Sequence, residues 1–159
     1  MDRSLLSKIL VQMRKHLEDG KEIGDMKVGA LLALGHQLEA IFYYLGHELG
    51  TTLKVKQLKD VQNIPEALKE KITEYNIGEV EITESSEELV QLKLKGHSSI
   101  KDLINKGIKT EGSFCSFEAG LLAGLVEKMT NIHCFAQEVD CCLQSGNNYC
   151  EFMIVFQKD

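Results

Sequence analysis

All five cysteines of this 159-residue chain fall between positions 115 and 150. The stretch GSFCSFEAGLLAGLVEKMTNIHCFAQEVDCCLQSGNNYCEFMIVF, from Gly112 to Phe156, therefore constrains the fold more than any other. It opens as a helix start, passes through a small-residue helix and ends as two strands around a turn. Cysteine is a small, usually buried apolar residue, so each of the five taken singly reads as core. Taken together they read as a metal site. A thiol at a helix start, an acidic residue on a strand and two thiols flanking a turn form a four-ligand set of the kind that holds Zn²⁺ in a tetrahedron. Cys115 sits where free helix N–H groups and the macrodipole favour a thiolate, the form that binds metal. Glu138 lies among Phe135, Ala136 and Val139, and a carboxylate buried there needs a cation or several donors. Cys141 or Cys142, and Cys150, lie on opposite arms of one hairpin. In a regular strand residues 138, 140 and 142 share a face, which favours Cys142, whereas a bulge would bring Cys141 round instead. Cys134, next to His133 and further from the turn, reads as core.

The remaining sequence narrows the setting. A chain of this length suits one domain, residues 1–159, around a single core. Its net charge of −6 argues against binding a nucleic-acid backbone, which needs clustered Lys and Arg. No apolar run reaches the ~18 residues of a membrane span. The opening MDRSLLSKILVQMRKHLEDG is too charged and too periodic for a signal peptide, so the expected location is cytoplasmic, where disulfides are rare and cysteines serve as ligands, catalysts or packing.

Apolar periodicity supplies the elements. Leu5, Ile9, Met13 and Leu17 form one stripe, closed by Gly20 and Gly24, which predicts a packing helix or a dimerisation arm over 1–24. Asp25 suits an N-cap. Leu31, Leu34, Leu38, Ile41, Phe42, Leu45 and Leu49 predict a long second helix with Gly50 at its C′ position. Gly35 and Gly46 lie inside that helix at a cost of roughly 1 kcal/mol each, which a close neighbour or a cavity would explain. His36 and His47 read as surface or hydrogen-bonded residues. Asn63 and Pro65 open a third helix running to about Tyr75. Val80 and Ile82, then Val90, Leu92 and Leu94, alternate with polar residues around the tip 84–87 and predict an antiparallel hairpin. Ser98 or Ser99 caps a short helix through Ile104, and Ser113 caps a helix from Phe114 to Met129. In that helix the strip Ala119, Gly120, Ala123, Gly124 reads first as close packing and second as a ligand face. Strands over 132–141 and 149–157, turning at Ser145-Gly146-Asn147-Asn148, complete the order. The fold class is α+β: helices packed on a four-stranded antiparallel sheet made of two hairpins.

These residues carry a resemblance. Cys115, Glu138 twenty-three residues on, Cys141/Cys142, Gly146 and Cys150, behind the helix FCSFEAGLLAGLVEK, resemble the 4-vinyl reductase domain family over about residues 78–157. The resemblance implies a fold shared with a vesicle-tethering subunit and with haem-type nitric-oxide sensors. It implies binding of a small apolar ligand. It also implies a structural zinc held by a Cys, a Glu and two further Cys, which map to Cys115, Glu138, Cys141 and Cys150. The family's E-x-x-C spacing fits Glu138 to Cys141. Its seven residues between the last two cysteines fit Cys142 to Cys150, so both third ligands stay open. The reading is a small-molecule (hydrocarbon) binding module with structural zinc, a homodimer. Phe42, Tyr43, Phe114, Phe117 and Leu121 are its candidate pocket residues. The alternatives are an enzyme of vinyl-reductase type, for which Cys115 is the one credible nucleophile, and a protein–protein adaptor. There is no Gly-rich nucleotide loop after a strand to support a reductase.

Overall fold

The structure, a computed structural model, describes residues 37–97 and 99–157. The expected arm at 1–24, the cap Asp25, Gly35, His36 and Ser98 lie outside the described residues.

Helix α1 spans Gln37–Thr52 and buries Leu38, Phe42, Gly46 and Gly50, one face at a four-residue repeat. A 3₁₀ turn at Val61–Asn63 leads into α2, Ile64–Glu74, with Pro65 in its first turn and Ile64, Leu68 and Ile72 buried. Strands β1 (Glu79–Ser85) and β2 (Leu89–Lys95) form the first hairpin. The short helix α3, Lys101–Asn105, precedes α4, Ser116–Thr130. Strand β3 (Cys134–Asp140), a single-turn helix α5 (Cys142–Ser145) and β4 (Tyr149–Phe156) end the described chain.

The sheet order is β1-β2-β4-β3, antiparallel throughout, so two hairpins meet along β2 and β4. Alternation explains the burial. Val90, Leu92 and Leu94 of β2, Phe152 and Ile154 of β4 and Ala136 of β3 point to one face and meet α2 and α4 in a single core. Each fully buried Leu, Ile or Phe there contributes about 1.5–3 kcal/mol.

The seam between α1 and α4 is made of glycine. A methyl group at Gly46 would overlap the carbonyl oxygen of Phe117, at Gly120 that of Tyr43, and at Gly124 that of His47. A Cβ at Gly50 would stand 2.5 Å from the carbonyl oxygen of Leu121. The two backbones therefore touch, and close packing uses Gly120 and Gly124 of the small-residue strip. The same packing explains why α1 runs through Gly50 to Thr52 instead of stopping there.

Three local expectations are corrected. Helix α4 begins at Ser116 with Cys115 as its N-cap residue, φ −100° and ψ 34°, because the Ser113 hydroxyl is drawn to Glu138 instead. Ile100, without a side-chain cap bond, precedes α3, because Ser99 donates to Glu118. The last connection is not a tight four-residue turn but the helix α5, closed by Gly146 at φ 79°, a left-handed position that suits glycine.

A candidate metal centre beside an open groove

The start of α4, the end of β3, the first residue after it and the start of β4 converge. The Sγ atoms of Cys115, Cys141 and Cys150 and a carboxylate oxygen of Glu138 all lie within 4.8 Å of one another, and all four residues are buried. Cys115 and Cys150 sulfurs stand 3.7 Å apart. A tetrahedron with Zn–S bonds of about 2.3 Å has an edge of about 3.8 Å, so the spacing suits one ion. The choice left open between Cys141 and Cys142 turns on the ladder. The register of β3 against β4 shifts between Glu138 and Asp140, and this bulge carries Cys141 into the group of four. The Cys142 sulfur lies outside that group, 3.4 Å from that of Cys150. Cys134 lies apart in the core, its thiol directed at the carbonyl of Ala123.

Glu138 is held at one end only. Its Oε2 accepts from the Ser113 hydroxyl at 2.6 Å and from the N–H groups of Phe114 and Cys115 at 2.9 and 3.0 Å. Its Oε1 is buried and has no hydrogen-bond partner among the described residues. Burial, and then the negative charge on Cys141, push the carboxyl above its ordinary value, against the donors from Ser113 and Cys115. Hydrogen bonds from Cys115, then Cys142 and Cys150, hold the Cys141 thiol far below the usual range. Contacts with Cys141 and Cys150 push Cys142 up. The cluster thus gathers three sulfurs and a carboxyl oxygen that has no hydrogen-bond partner among the described residues. It is a set of acceptors short of a positive charge, which is the chemistry of a divalent soft-to-borderline cation.

A second layer, not foreseen from the sequence, backs Cys115. Nε2 of His97 lies 3.8 Å from the Cys115 sulfur, and its Nδ1 lies 2.9 Å from the Ser99 hydroxyl, which donates to Glu118. All three are buried. A histidine directly after Gly96 at a strand end, and a glutamate within the apolar run of α4, were the available signals. Neither showed that the two would meet. Such outer partners orient a ligating group and set its basicity.

Glu138, though buried, also borders open space. It lines a groove of about 550 Å³ together with Ala40, Tyr43 and Tyr44 of α1, Ser113, Ser116 and Ala119 at the start of α4, and Phe135 and Gln137 of β3. The rings of Tyr43 and Phe135 stack at 5.2 Å. Of the residues expected to line a pocket, Tyr43 does. Phe42, Phe114 and Leu121 are core, and Phe117 packs against that core partly buried. The Tyr43 hydroxyl accepts the Ala136 N–H of β3 at 3.1 Å. The Glu127 carboxylate of α4 ties that helix to α1 and to the start of β3. It lies 3.0 Å from Nε2 of His47 and 3.2 Å from Nδ1 of His133, and it accepts the N–H of Cys134 at 3.0 Å. No helix among the described residues is long and apolar enough to cross a membrane.

No family model matches the chain. Two proteins of Methanocaldococcus jannaschii do. Uncharacterized protein MJ0150 is 31% identical over 97% of this chain and 92% of its own length. Uncharacterized protein MJ1642 is 31% identical over 76% of this chain and 66% of its own. Among solved structures, a vinyl-4-reductase family protein from the same organism has a TM-score of 0.55 at 24% identity, over 74% of this chain and 68% of that one. The phenol-responsive sensory domain of the transcription activator PoxR, with phenol, has a TM-score of 0.61 at 13% identity, over 84% and 72%. A trafficking protein particle complex subunit 3 from Naegleria fowleri, covalently bound to palmitic acid, has a TM-score of 0.50 at 12% identity, over 97% and 93%. At these identities the three structures speak for the fold. The chain belongs to one family with MJ0150 of M. jannaschii, and its fold is that of the vinyl-4-reductase proteins, shared with the trafficking protein particle complex subunit.

Proposed function

We propose that the protein is a binding module for a small, largely apolar molecule, with a structural zinc ion held by Cys115, Glu138, Cys141 and Cys150. The observation that carries this is the double position of Glu138, one carboxylate that belongs to the donor cluster and also lines the groove. The groove's volume of about 550 Å³ is in the range of small-ligand sites. Tyr43, Tyr44 and Phe135 offer ring faces, while Ser113, Ser116 and Gln137 offer a few polar contacts. The same fold in PoxR senses phenol, which supports a ligand of this size. When bound, the ion would cross-link the start of α4 to both strands of the second hairpin, contributing folding energy and not chemistry. The apolar stripe Leu5, Ile9, Met13 and Leu17 supports a homodimer. Five unpaired thiols support a reducing, cytoplasmic setting.

Native mass spectrometry of the purified protein tests the reading, with melting curves before and after chelation. The expected result is one zinc per chain and a lower melting temperature once it is removed. Less than about half an equivalent of zinc, with a melting curve indifferent to chelator, overturns it.

A further inference from the structure

Resting on that reading of the centre, we propose that Cys142 is an alternative fourth ligand, able to take the coordination place of Glu138 and leave that carboxyl to the groove. A fourth sulfur lies beside the three of the donor group. Cys142 is buried, and its sulfur lies 3.4 Å from that of Cys150. Its N–H also donates to the Cys150 sulfur at 3.4 Å. A cysteine kept only for packing would turn its sulfur to apolar neighbours, as a small hydrophobe does. This one turns it to a sulfur of the donor group.

Glu138 is the ligand best placed to give way. Its Oε2 already has three donors, so the carboxyl keeps its position without a metal bond. The residue also borders the groove. Zinc accepts four thiolates as readily as three thiolates and a carboxylate. In the exchange Cys142 gives up its Sγ proton and the Glu138 carboxyl takes one up, so the charge of the site is unchanged.

Cobalt(II) reports the ligand set directly, because sulfur-to-cobalt charge transfer grows with the number of thiolates. The experiment compares the full chain with Glu138→Gln, Cys142→Ser and the double variant. It records Co²⁺ stoichiometry, charge-transfer absorbance per cobalt and affinity by chelator competition, with circular dichroism to check folding. Glu138→Gln is expected to keep one tetrahedral Co²⁺ with absorbance raised to about four-thirds of wild type. Cys142→Ser is expected to match wild type, and the double variant to bind at least about tenfold more weakly than Glu138→Gln. Equal affinity of Glu138→Gln and the double variant, without a rise in absorbance, overturns the proposal while leaving the three-cysteine centre standing. Failure of folded wild-type protein to take up Co²⁺ overturns the centre itself.

Discussion

Substituting Gly120 by alanine tests the packing that shapes the groove. In most helices the change would help, since alanine is favoured over glycine by about 1 kcal/mol in a helix interior. Here the new methyl would overlap the carbonyl oxygen of Tyr43, 2.8 Å from its carbonyl carbon and 2.9 Å from the amide nitrogen of His47. Ordinary carbon contacts need about 3.5–4.0 Å. The obstacles are main-chain atoms, which cannot rotate aside, so α1 has to move off α4. Overpacking costs about 1–3 kcal/mol, and the upper end applies when backbone must yield. Set against the propensity gain, the net loss is about 2 kcal/mol. At about 2–4 °C per kcal/mol for a domain of this size, the melting temperature falls by about 4–8 °C. Gly112→Ala is the control, having nothing within 4 Å of its Cβ position and no unusual φ. Thermal denaturation followed by circular dichroism at 222 nm decides the matter. If Gly120→Ala melts at or above wild type while Gly112→Ala is neutral, the helices do not meet as described.

Tyr43→Phe removes the acceptor for the Ala136 N–H; a loss of about 1–3 kcal/mol and faster hydrogen exchange at that amide are expected, read by urea titration and exchange. Burial, then the charge of Glu127, pushes the Cys134 thiol up to about 12, so in native protein at pH 8 it should resist iodoacetamide, and mass mapping should find it labelled only after unfolding. Burial raises the Glu127 carboxyl, but Cys134 N–H, His133 and His47 together outweigh it and hold the group below 4.5. A lowered folded-state value means stability present above the unfolded-state value and lost as pH falls through the folded one. Wild type should therefore exceed Glu127→Gln in stability at pH 6 and converge with it below pH ~4.5, as measured by denaturant midpoints.

The sheet was legible because its cues are local. Val80 and Ile82, then Val90, Leu92 and Leu94, alternate with polar residues, and the first hairpin formed where alternation placed it. That these cysteines and Glu138 would gather was legible as a set, but Cys141 could not be separated from Cys142. That choice rests on a bulge, a property of how β3 and β4 pair and not of β3 alone. The caps misled for a similar reason. Ser113 has the right chemistry for an N-cap, yet a carboxylate arriving from a strand, 25 residues away, takes its hydroxyl and the next two N–H groups. The His97–Ser99–Glu118 chain joins a strand end to the middle of α4, and no spacing rule connects those places. Gly46 did signal a close neighbour, but its partner Phe117 lies on a helix whose distance no sequence pattern reveals.

Strand order leaves β1 and β3 on the two margins of the sheet, where a foreign strand could add on and begin a fibre. The margins are guarded by unlike means. Along β1 stand Glu79, Glu81 and Glu84, exposed and charged, which discourage a flat neighbour. Along β3 the guard is a phenol reaching over from a helix to occupy the Ala136 amide. An intruding strand would have to evict that helix and unzip its glycine contacts, so resistance to aggregation on that flank is only as durable as the helix pair itself.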